Sequence, residues 1–377
     1  MTRTGQCWMV AFGLTLMTAA CGSSATSDSG EQVTPIKRAE IPQNEFTPLE
    51  LEATVDALVA AINESPLDEA QMVVLLKNLD DFFAPIATGA NRAMGELGVI
   101  GNVIGPNVTT VDGPSSQELQ NQQIAQAVAD GAHGIGVSPF DTTNAAAVDD
   151  AAANGVPVVT LDSDLPDSKR SLYVGTLNVP AGATAAKTLL AMLPPPPGTV
   201  VIHGILGATW PDGYDRTQGA LAAIEEAGYK PVVSEAIFGD ENEASDIERM
   251  RGNLVAASPP AVGILGLFNI SYRCVPAADG AAMPGLPIVT FDFDPRTVDL
   301  MRQNRIKATH TQRQYYEGYL VPYILYGMKS IGLEATRAIL APLIEEDESK
   351  INIGIDVVPA EKIDAYNDFL VSIGSIQ

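Results

Sequence analysis

The sequence predicts an α/β protein made of two similar lobes, each a doubly wound parallel sheet. Short runs rich in β-branched residues alternate with helical segments from Gln71 onward, which is typical of parallel sheets. Residues 156–164 also match residues 286–294 in their pattern of apolar, hydroxyl and acidic side chains. One strand earlier, residues 140–141 match residues 268–269 at nearly the same offset. These two matches indicate that the second lobe repeats the first.

The strands of both lobes are predicted from these apolar runs. They cover residues 72–77, 98–104, 134–138 and 156–161 in the first lobe, and 199–205, 231–238, 261–268 and 286–291 in the second. A predicted helix over residues 144–155 has an Ala-rich apolar face and ends at Gly155, a suitable C-cap residue. Polar residues follow the strands at the carboxyl edge, where open parallel sheets bind ligands. If the lobes face one another, Asp162 and Asp292 meet across a cleft.

The N-terminus has the pattern of an export signal. Residues 1–20 contain one charged residue, Arg3, followed by an apolar run and three small or hydroxyl residues, 18–20. Cys21 comes next, and this arrangement resembles the lipobox of bacterial lipoproteins. We therefore expect cleavage after residue 20, acylation of Cys21, and a lipoprotein anchored in the periplasm or at the cell surface. Thr18 stands where the lipobox usually has Leu, so a secreted form without lipid is the alternative.

A flexible tether and an accessory helix are expected between this signal and the first lobe. Residues 21–46 lack periodicity and are rich in Ser, Thr, Pro and charge, which suits a tether. Residues 47–69 contain an apolar stripe at helical spacing. We expect Thr47 to be the N-cap, with Pro48 at the first helical position and Glu50 completing a capping box.

Composition and motifs argue against several functions. A net charge of -24 repels phosphate backbones, so we predict no nucleic-acid partner. The sequence contains neither a phosphate-binding loop nor a nucleophile elbow, and its histidines lack metal-ligand spacing, so we predict no enzyme, no cofactor and no metal. Cys274 is the only cysteine in the predicted folded body and is interpreted as a packing residue without a disulfide partner.

The predicted cleft combines aromatic faces with hydrogen-bonding groups at strand and helix ends. The candidate ligand-binding residues are Phe82, Phe83, Asp162, Trp210, Arg216, Asn269, Asp292 and Gln312. A sugar or polyol presents an apolar C–H face to an aromatic ring, while its hydroxyl groups need both donors and acceptors, which Arg, amide and carboxylate side chains provide. The alternative is that these residues are core aromatics, a helix salt bridge and helix caps.

From Gln71 to the C-terminus the chain resembles the type I periplasmic solute-binding proteins of ABC importers, in the ribose- and galactose-binding branch. The resemblance depends on residues 76–90, 156–164, 216–228, 291–295 and 308–320. It implies two lobes joined by three crossing strands that close on a sugar by hinge bending, and delivery of that sugar to an ABC transporter permease. It also implies that Phe83 stacks on the sugar ring and that Asp162 accepts hydroxyl hydrogen bonds. We expect a monomer.

The same resemblance implies discontinuous lobes. Lobe 1 is expected to comprise residues 70–175 and 313–354, and lobe 2 residues 176–312 and 355–377, with crossings near 174–176, 312–314 and 353–356. Ser163, Leu177 and Ile270 depart from the pattern of ribose binders and put ribose itself in doubt. A ligand sensor that signals to a membrane receptor without import is the alternative function.

Overall fold

The computed structural model describes residues 35–375 except 80, 107–114, 209, 346 and 348. The predicted signal and Cys21 lie outside the described residues. Twelve strands are described, in chain order β1 to β12: Gln71–Leu75, Ile100–Ile104, Gly134–Val137, Val158–Leu161, Leu172–Gly175, Thr199–Gly204, Lys230–Glu235, Ala261–Gly266, Ile288–Phe291, Ala308–Thr311, Lys350–Asn352 and Asp356–Pro359. The described α-helices, α1 to α12, are Leu49–Asn63, Ala84–Leu97, Ser116–Ala129, Ala145–Ala153, Asn178–Leu190, Pro211–Glu226, Glu243–Ala256, Cys274–Gly280, Pro295–Arg302, Gln314–Ile331, Leu333–Leu340 and Ile363–Ser372.

The strands form two sheets of six, which define two lobes. Lobe 1 has the strand order β11-β5-β4-β3-β1-β2, and all of its neighbouring strands are parallel. Lobe 2 has the order β12-β10-β9-β8-β6-β7, parallel except for β12, which pairs with β10 in the antiparallel sense. The two sheets therefore repeat one doubly wound topology, and the predicted fold class is confirmed.

The chain passes between the two sheets three times. It leaves lobe 1 after β5 and enters α5, returns after β10 into α10, and leaves again between β11 and β12. These passages lie beside or within the segments expected near 174–176, 312–314 and 353–356. Because parallel strands end at the same edge of a sheet, the passages lie close to the loops that follow β4 and β9.

A close helix pair in lobe 2 depends on glycine. A Cβ atom on Gly182 of α5 would lie 1.9 Å from the backbone oxygen of Arg216, and a Cβ atom on Gly219 of α6 would lie 1.9 Å from the backbone oxygen of Val179. No larger residue fits at either position without moving a backbone. The two glycines therefore set the distance between α5 and α6, and with it the position of Arg216.

The chain packs against the lobes earlier than we expected. Residues 35–46 were assigned to the flexible tether, but Ile36 is buried and exchanges two backbone hydrogen bonds with the side chain of Asn63. Arg38 forms an ion pair with Glu52 of α1 at 2.6 Å. Arg38 also pairs with Asp56 and donates to the hydroxyl of Tyr319, and Ile41 and Phe46 pack against the core. These contacts are spaced irregularly along the segment, so the sequence shows no periodicity that would reveal them.

The accessory helix is present but is not capped as predicted. It begins at Leu49 after Pro48 and has no side-chain cap. The hydroxyl of Thr47 instead accepts a hydrogen bond from the backbone N–H of Asn44 and donates one to the carbonyl of Pro42. The Thr47 side chain is therefore bonded to the preceding turn and does not form the predicted capping box. None of the described helices is both long and apolar enough to cross a membrane.

Candidate ligand-binding cleft

A cavity of about 210 Å³, here called the first cavity, lies between the carboxyl edges of the two sheets. All of the predicted ligand-binding residues line it: Phe82, Phe83 and Asp162 from lobe 1, and Trp210, Arg216, Asn269, Asp292 and Gln312 from lobe 2 or the passage after β10. Drug-sized ligands occupy roughly 300–1,000 Å³, so this cavity suits a smaller molecule. The structure thus brings the predicted residues together, while their binding of a ligand stays a prediction.

Two aspartates occupy equivalent positions in the repeated lobes. Asp162 follows β4 and Asp292 follows β9, and both have left-handed backbone conformations, with φ of 62° and 69°. This conformation is uncommon outside glycine, although Asp and Asn adopt it more readily than other residues. Its repetition at the same place in both lobes gives both carboxylates a position on the first cavity. The sequence match between residues 156–164 and 286–294 is therefore also a structural match.

On the lobe 1 side, a lysine orients the carboxylate. Lys77 follows β1, and its Nζ atom donates to Asp162 Oδ2 at 2.9 Å and to the hydroxyl of Ser163 at 2.5 Å. The hydroxyl of Ser138 donates to the same Asp162 oxygen at 2.7 Å. The Lys77 ammonium also lies 5.8 Å from the centre of the Phe83 ring. This half of the site therefore combines one ion pair with one aromatic face.

On the lobe 2 side, Arg216 is the centre of a buried network. Its guanidinium donates to Asn178 Oδ1 at 3.0 Å, to the carbonyl of Leu267 at 2.9 Å and to Gln312 Oε1 at 2.8 Å. Gln312 in turn donates to Asp292 Oδ1 at 2.8 Å, and Arg216 lies 3.9 Å from the other oxygen of Asp292. Both Arg216 and Asp292 are 4% exposed.

Burial affects the ionisation of these acids. It raises the pKa of Asp292, and Arg216 and the amide of Gln312 offset part of that rise. Burial also raises the pKa of Asp212 to about 6; Lys77 lowers this pKa, while the neighbouring Asp162 carboxylate raises it. The Asp212 carboxylate of α6 accepts a hydrogen bond of 2.6 Å from the hydroxyl of Ser163 in lobe 1. This hydrogen bond joins the two lobes across the cleft.

Aromatic side chains line both sides of the first cavity. In lobe 1, the rings of Phe82 and Phe83 meet edge to face, with centroids 5.2 Å apart. In lobe 2, Trp210 stacks on Phe268 at 5.2 Å and meets Phe238 edge to face at 5.1 Å. These packed rings have few accessible rotamers, so they present fixed apolar faces to the cavity.

Five residues that line the first cavity were not among the predicted ones: Lys77, Ser163, Asp212, Phe238 and Phe268. Lys77 follows β1 and Asp212 lies in the first turn of α6, so their positions at element ends are a sequence signal for both. Ser163 follows Asp162 directly, and the family resemblance marks it only as a departure from the pattern of ribose binders. Phe238 and Phe268 end apolar runs, where an aromatic residue that faces a cavity has the same sequence pattern as one in the core.

The other reactive side chains are used in packing. His203 is buried and paired with Asp246 at 3.0 Å, and His310 is buried with its pKa lowered to about 4 by desolvation. Cys274 is buried, as expected, and burial raises the pKa of its thiol. In the part of the chain that the structure describes, no group of three His, Cys, Asp or Glu side chains is arranged to hold a metal ion.

Sequence comparison identifies a family over most of the chain. A model of the periplasmic binding protein domain matches residues 72–331. The ribose import binding protein of Bacillus subtilis is 22% identical over 249 residues, which cover 63% of this chain and 76% of that protein. The matched region contains the strands from β1 to β10 and all of the residues that line the first cavity.

Solved structures share the fold. A ribose ABC transporter protein from Conexibacter woesei has a TM-score of 0.66 and 18% identity, covering 81% of this chain and 96% of its own. A sugar-binding protein from Bacillus halodurans has a TM-score of 0.64 and 23% identity, covering 79% and 100%. A solute-binding protein from Burkholderia graminis, solved with D-arabinose, has a TM-score of 0.63 and 23% identity, covering 80% and 99%.

Proposed function

This chain belongs to the periplasmic binding protein family, and from that premise we propose that it captures a sugar or polyol between its lobes and delivers it to an ABC importer. Its family makes it an extracytoplasmic binding protein rather than an enzyme. The relatives are described as binding ribose, arabinose or other sugars, and several are components of ABC transporters. These descriptions favour import over signalling to a receptor.

One observation carries the proposal of a sugar or polyol. The first cavity has aromatic faces on both of its sides, and between them lie carboxylates, an amide and a guanidinium. Phe83 and Trp210 offer faces to the C–H surface of a ring, whereas Asp162 and Asp292 accept hydrogen bonds from its hydroxyl groups. Both carboxylates keep lone pairs that their protein partners do not use. An apolar ligand would displace water from these lone pairs without offering donors, which costs free energy.

A thermal-shift screen tests the ligand class. The full chain is heated with pentoses, hexoses, linear polyols and amino acids, because a ligand that binds only the folded state raises the melting temperature. We expect a pentose, hexose or polyol to raise it and amino acids to leave it unchanged. A rise with an amino acid alone would contradict the proposal, as would no rise with any sugar or polyol at millimolar concentration.

Closure of the lobes on the ligand is part of the same proposal. Each lobe provides some of the groups around the first cavity, so a ligand gains all of its contacts only when both lobes close on it. The hydrogen bond from Ser163 to Asp212 shows that groups of the two lobes can meet across the cleft. Small-angle scattering is expected to give a smaller radius of gyration with the sugar found in the screen than without it. An equal radius would argue against hinge closure.

We also propose that Cys21 is acylated and that residues after it tether the lobes to a membrane, with the protein acting as a monomer. The apolar run before Cys21 and the polar residues after it support this arrangement. Expression of the full chain in a bacterium, followed by mass spectrometry of the mature N-terminal peptide, is expected to give a lipid-modified residue 21. An unmodified residue 21, or retention of residues 1–20, would contradict it.

A further inference from the structure

A second cavity, of about 290 Å³, adjoins the first. Asp212 lines both cavities, and the loop after β4 runs past both, with Ser163 on the first and Asp164 on the second. The side chain of Ser163 donates to Asp212, so this single hydrogen bond lies where the two cavities meet. The second cavity also takes residues from both lobes, including Ala145 of α4 and Leu177 before α5.

The wall of the second cavity contains one buried hydroxyl whose hydrogen bonding is incomplete. Thr176 is 3% exposed and lines this cavity, and its buried hydroxyl has no hydrogen-bond partner among the described residues. A buried hydroxyl without a partner costs free energy unless something else bonds to it. The neighbouring Tyr173 is already satisfied, because its hydroxyl donates to the backbone of the loop after β4 or of the passage after β5. The unused group is therefore the one on Thr176.

The charges of the second cavity are unbalanced. Asp164 is neutralised by Arg170, and Lys350 lies 3.7 Å from the same carboxylate. Asp167, Asp212 and Asp215 also line this cavity, and none of the described cations lies within 4.0 Å of their carboxylates. A group that enters this cavity therefore meets an excess of hydrogen-bond acceptors and negative charge, which favours donors and repels anions.

We propose that the ligand is longer than one sugar ring, with its first unit in the first cavity and a second, hydroxyl- or amino-bearing unit in the second cavity. The inference rests on the proposed function, because it takes the first unit to be a sugar. The second unit passes Asp212 and replaces the Ser163 hydrogen bond with its own. Its donors reach the carboxylates of Asp212 and Asp215, and it gives the hydroxyl of Thr176 a partner. A carboxylate or phosphate on this unit is excluded.

Calorimetric titration of the full chain with matched one-unit and two-unit sugars tests the proposal. The probes are glucose, galactose and glucosamine, the disaccharides cellobiose, maltose, lactose and the glucosamine dimer, and the acidic dimer of galacturonate. We expect at least one neutral or amino disaccharide to bind on the order of tenfold more tightly than its constituent monosaccharides, which corresponds to about 1.4 kcal/mol. The galacturonate dimer is expected not to bind.

Three variants locate the second unit. Ala145→Phe places a ring at the second cavity, Thr176→Val removes the unpartnered hydroxyl at nearly constant volume, and Ala146→Phe makes the same change as the first variant at an exposed position of α4. We expect the advantage of the disaccharide over the monosaccharide to disappear in Ala145→Phe and to fall several-fold in Thr176→Val. Ala146→Phe is expected to keep it. A melt of each variant identifies any that does not fold.

The outcomes separate this inference from the proposed function. Binding of monosaccharides with no gain from any disaccharide overturns the two-unit ligand and leaves sugar capture standing. A disaccharide whose advantage survives in both Ala145→Phe and Thr176→Val also overturns it, because the second unit then lies elsewhere. Tight binding of the galacturonate dimer contradicts the charge argument. If no sugar of either length binds here, and no pentose or polyol raises the melting temperature in the thermal-shift screen, the proposed function fails together with the inference.

Discussion

Asp162 in lobe 1 and Asp292 in lobe 2 have the same place in the repeat and the same left-handed backbone, but their surroundings differ. The Asp162 side chain is 12% exposed, and its strongest partner is the lysine Lys77, whose side chain is 16% exposed. The Asp292 side chain is 5% exposed and lies beside Arg216, whose side chain is 4% exposed. The same backbone conformation therefore carries a part-buried ion pair in lobe 1 and a more deeply buried hydrogen-bond network in lobe 2.

This difference indicates that the two lobes contribute differently to ligand binding. The lobe 2 groups are fixed before any ligand arrives, since Arg216 is held by three acceptors and its guanidinium lies 4.2 Å from the centre of the Phe291 ring. Fixed groups lose little conformational entropy when a ligand binds. Lys77 is attached to a flexible stem and is partly solvated, so it can adjust to the ligand. We infer that lobe 2 holds the ligand first and that lobe 1 completes the site.

Replacing Arg216 should have the largest effect. Because the Arg216 side chain is buried, its replacement should affect folding as well as binding. Loss of the guanidinium leaves Asn178 and Gln312 without their donor and Asp292 without its cation. Breaking a buried charge pair from one side costs about 3–5 kcal/mol. We expect Arg216→Met to lose that much stability in urea unfolding and to lose detectable sugar binding.

Lys77→Met is the matched change in lobe 1. Its ion pair with Asp162 is part-buried, with the two side chains 16% and 12% exposed, so it is less deeply buried than the pair of Arg216 and Asp292. Breaking it should cost less than the roughly 3–5 kcal/mol of a fully buried pair. We expect a smaller loss of stability than in Arg216→Met and a loss of affinity of about tenfold. Equal losses of stability in Lys77→Met and Arg216→Met would show that the two halves of the cleft do not differ in the way proposed.

The paired aspartates give the next largest effect. Here the lobes can be compared directly, because the same change from Asp to Asn can be made at both positions. Asp162→Asn and Asp292→Asn each replace a charged acceptor by a neutral one at equivalent positions. A hydrogen bond to a charged group contributes about 1.5–3 kcal/mol, so each variant should bind the sugar roughly ten- to a hundredfold more weakly. Calorimetric titration measures the affinity.

Stability distinguishes these two variants. Asp292 is the more deeply buried, and its neutral replacement leaves the buried Arg216 guanidinium without its anion. Relief of the desolvation that raises the pKa of Asp292 offsets part of this cost. We therefore expect Asp292→Asn to lose more stability than Asp162→Asn, in which the less buried Lys77 loses its partner. The exposed Asp368→Asn is the control, with unchanged affinity and stability. Unchanged affinity in both cleft variants would mean that the ligand binds elsewhere.

The sequence was sufficient for the fold and for much of the site. Short apolar runs rich in β-branched residues and the repeat between residues 156–164 and 286–294 predicted both sheets, because buried parallel strands need continuous apolar segments. The same repeat pointed to Asp162 and Asp292. It could not reveal that Arg216 is held between Asn178 and Gln312, since those partners come from separate segments and meet only in the folded lobe.

Other features had no sequence signal. The second cavity depends on how the loop after β4 approaches the start of α6, and loop paths are not encoded in periodicity. The packing of Ile36 is similar, because one apolar residue in a polar segment does not differ from an exposed one until its neighbours are known. The role of Gly182 in the contact between α5 and α6 could not be predicted either, since a glycine within an Ala-rich helix only weakens a helix prediction.

Gly182→Ala tests how lobe 2 fixes Arg216. The new Cβ would lie 1.9 Å from the backbone oxygen of Arg216, so α5 and α6 must move apart. Overpacking of this kind costs about 1–3 kcal/mol. We expect a comparable loss in urea unfolding, together with a loss of affinity of roughly tenfold because Arg216 shifts with its helix.

Gly252→Ala is the control within lobe 2. This glycine lies inside α7, and no atom would lie within 4 Å of its Cβ. Alanine there should stabilise the chain by about 0.5–1 kcal/mol, because it lowers the backbone entropy of the unfolded state. If Gly182→Ala loses stability and keeps full affinity, the helix contact does not position Arg216.

The last expected effect is a pH dependence of stability from Asp212, which joins the lobes through Ser163. Its pKa is raised to about 6, above the ordinary value of 3.8, chiefly by burial. Between about pH 4 and pH 6 the folded chain therefore keeps a proton that the unfolded chain has lost. Stability falls with rising pH wherever the folded state binds more protons, so the contribution of Asp212 to stability is fully present below pH 4 and is lost as pH rises through 6. Because the residue is half-buried, we expect at most about 2 kcal/mol over this range.

Asp212→Asn should then gain stability relative to the natural chain from pH 4 to pH 7, measured by urea unfolding, while Asp368→Asn shows no such trend. Asp292 and Glu317, whose pKa values are also raised by burial, leave a fall with pH in both proteins, so the difference between them is the quantity that decides. A difference that is constant from pH 4 to pH 7 would mean that Asp212 does not titrate in the cleft.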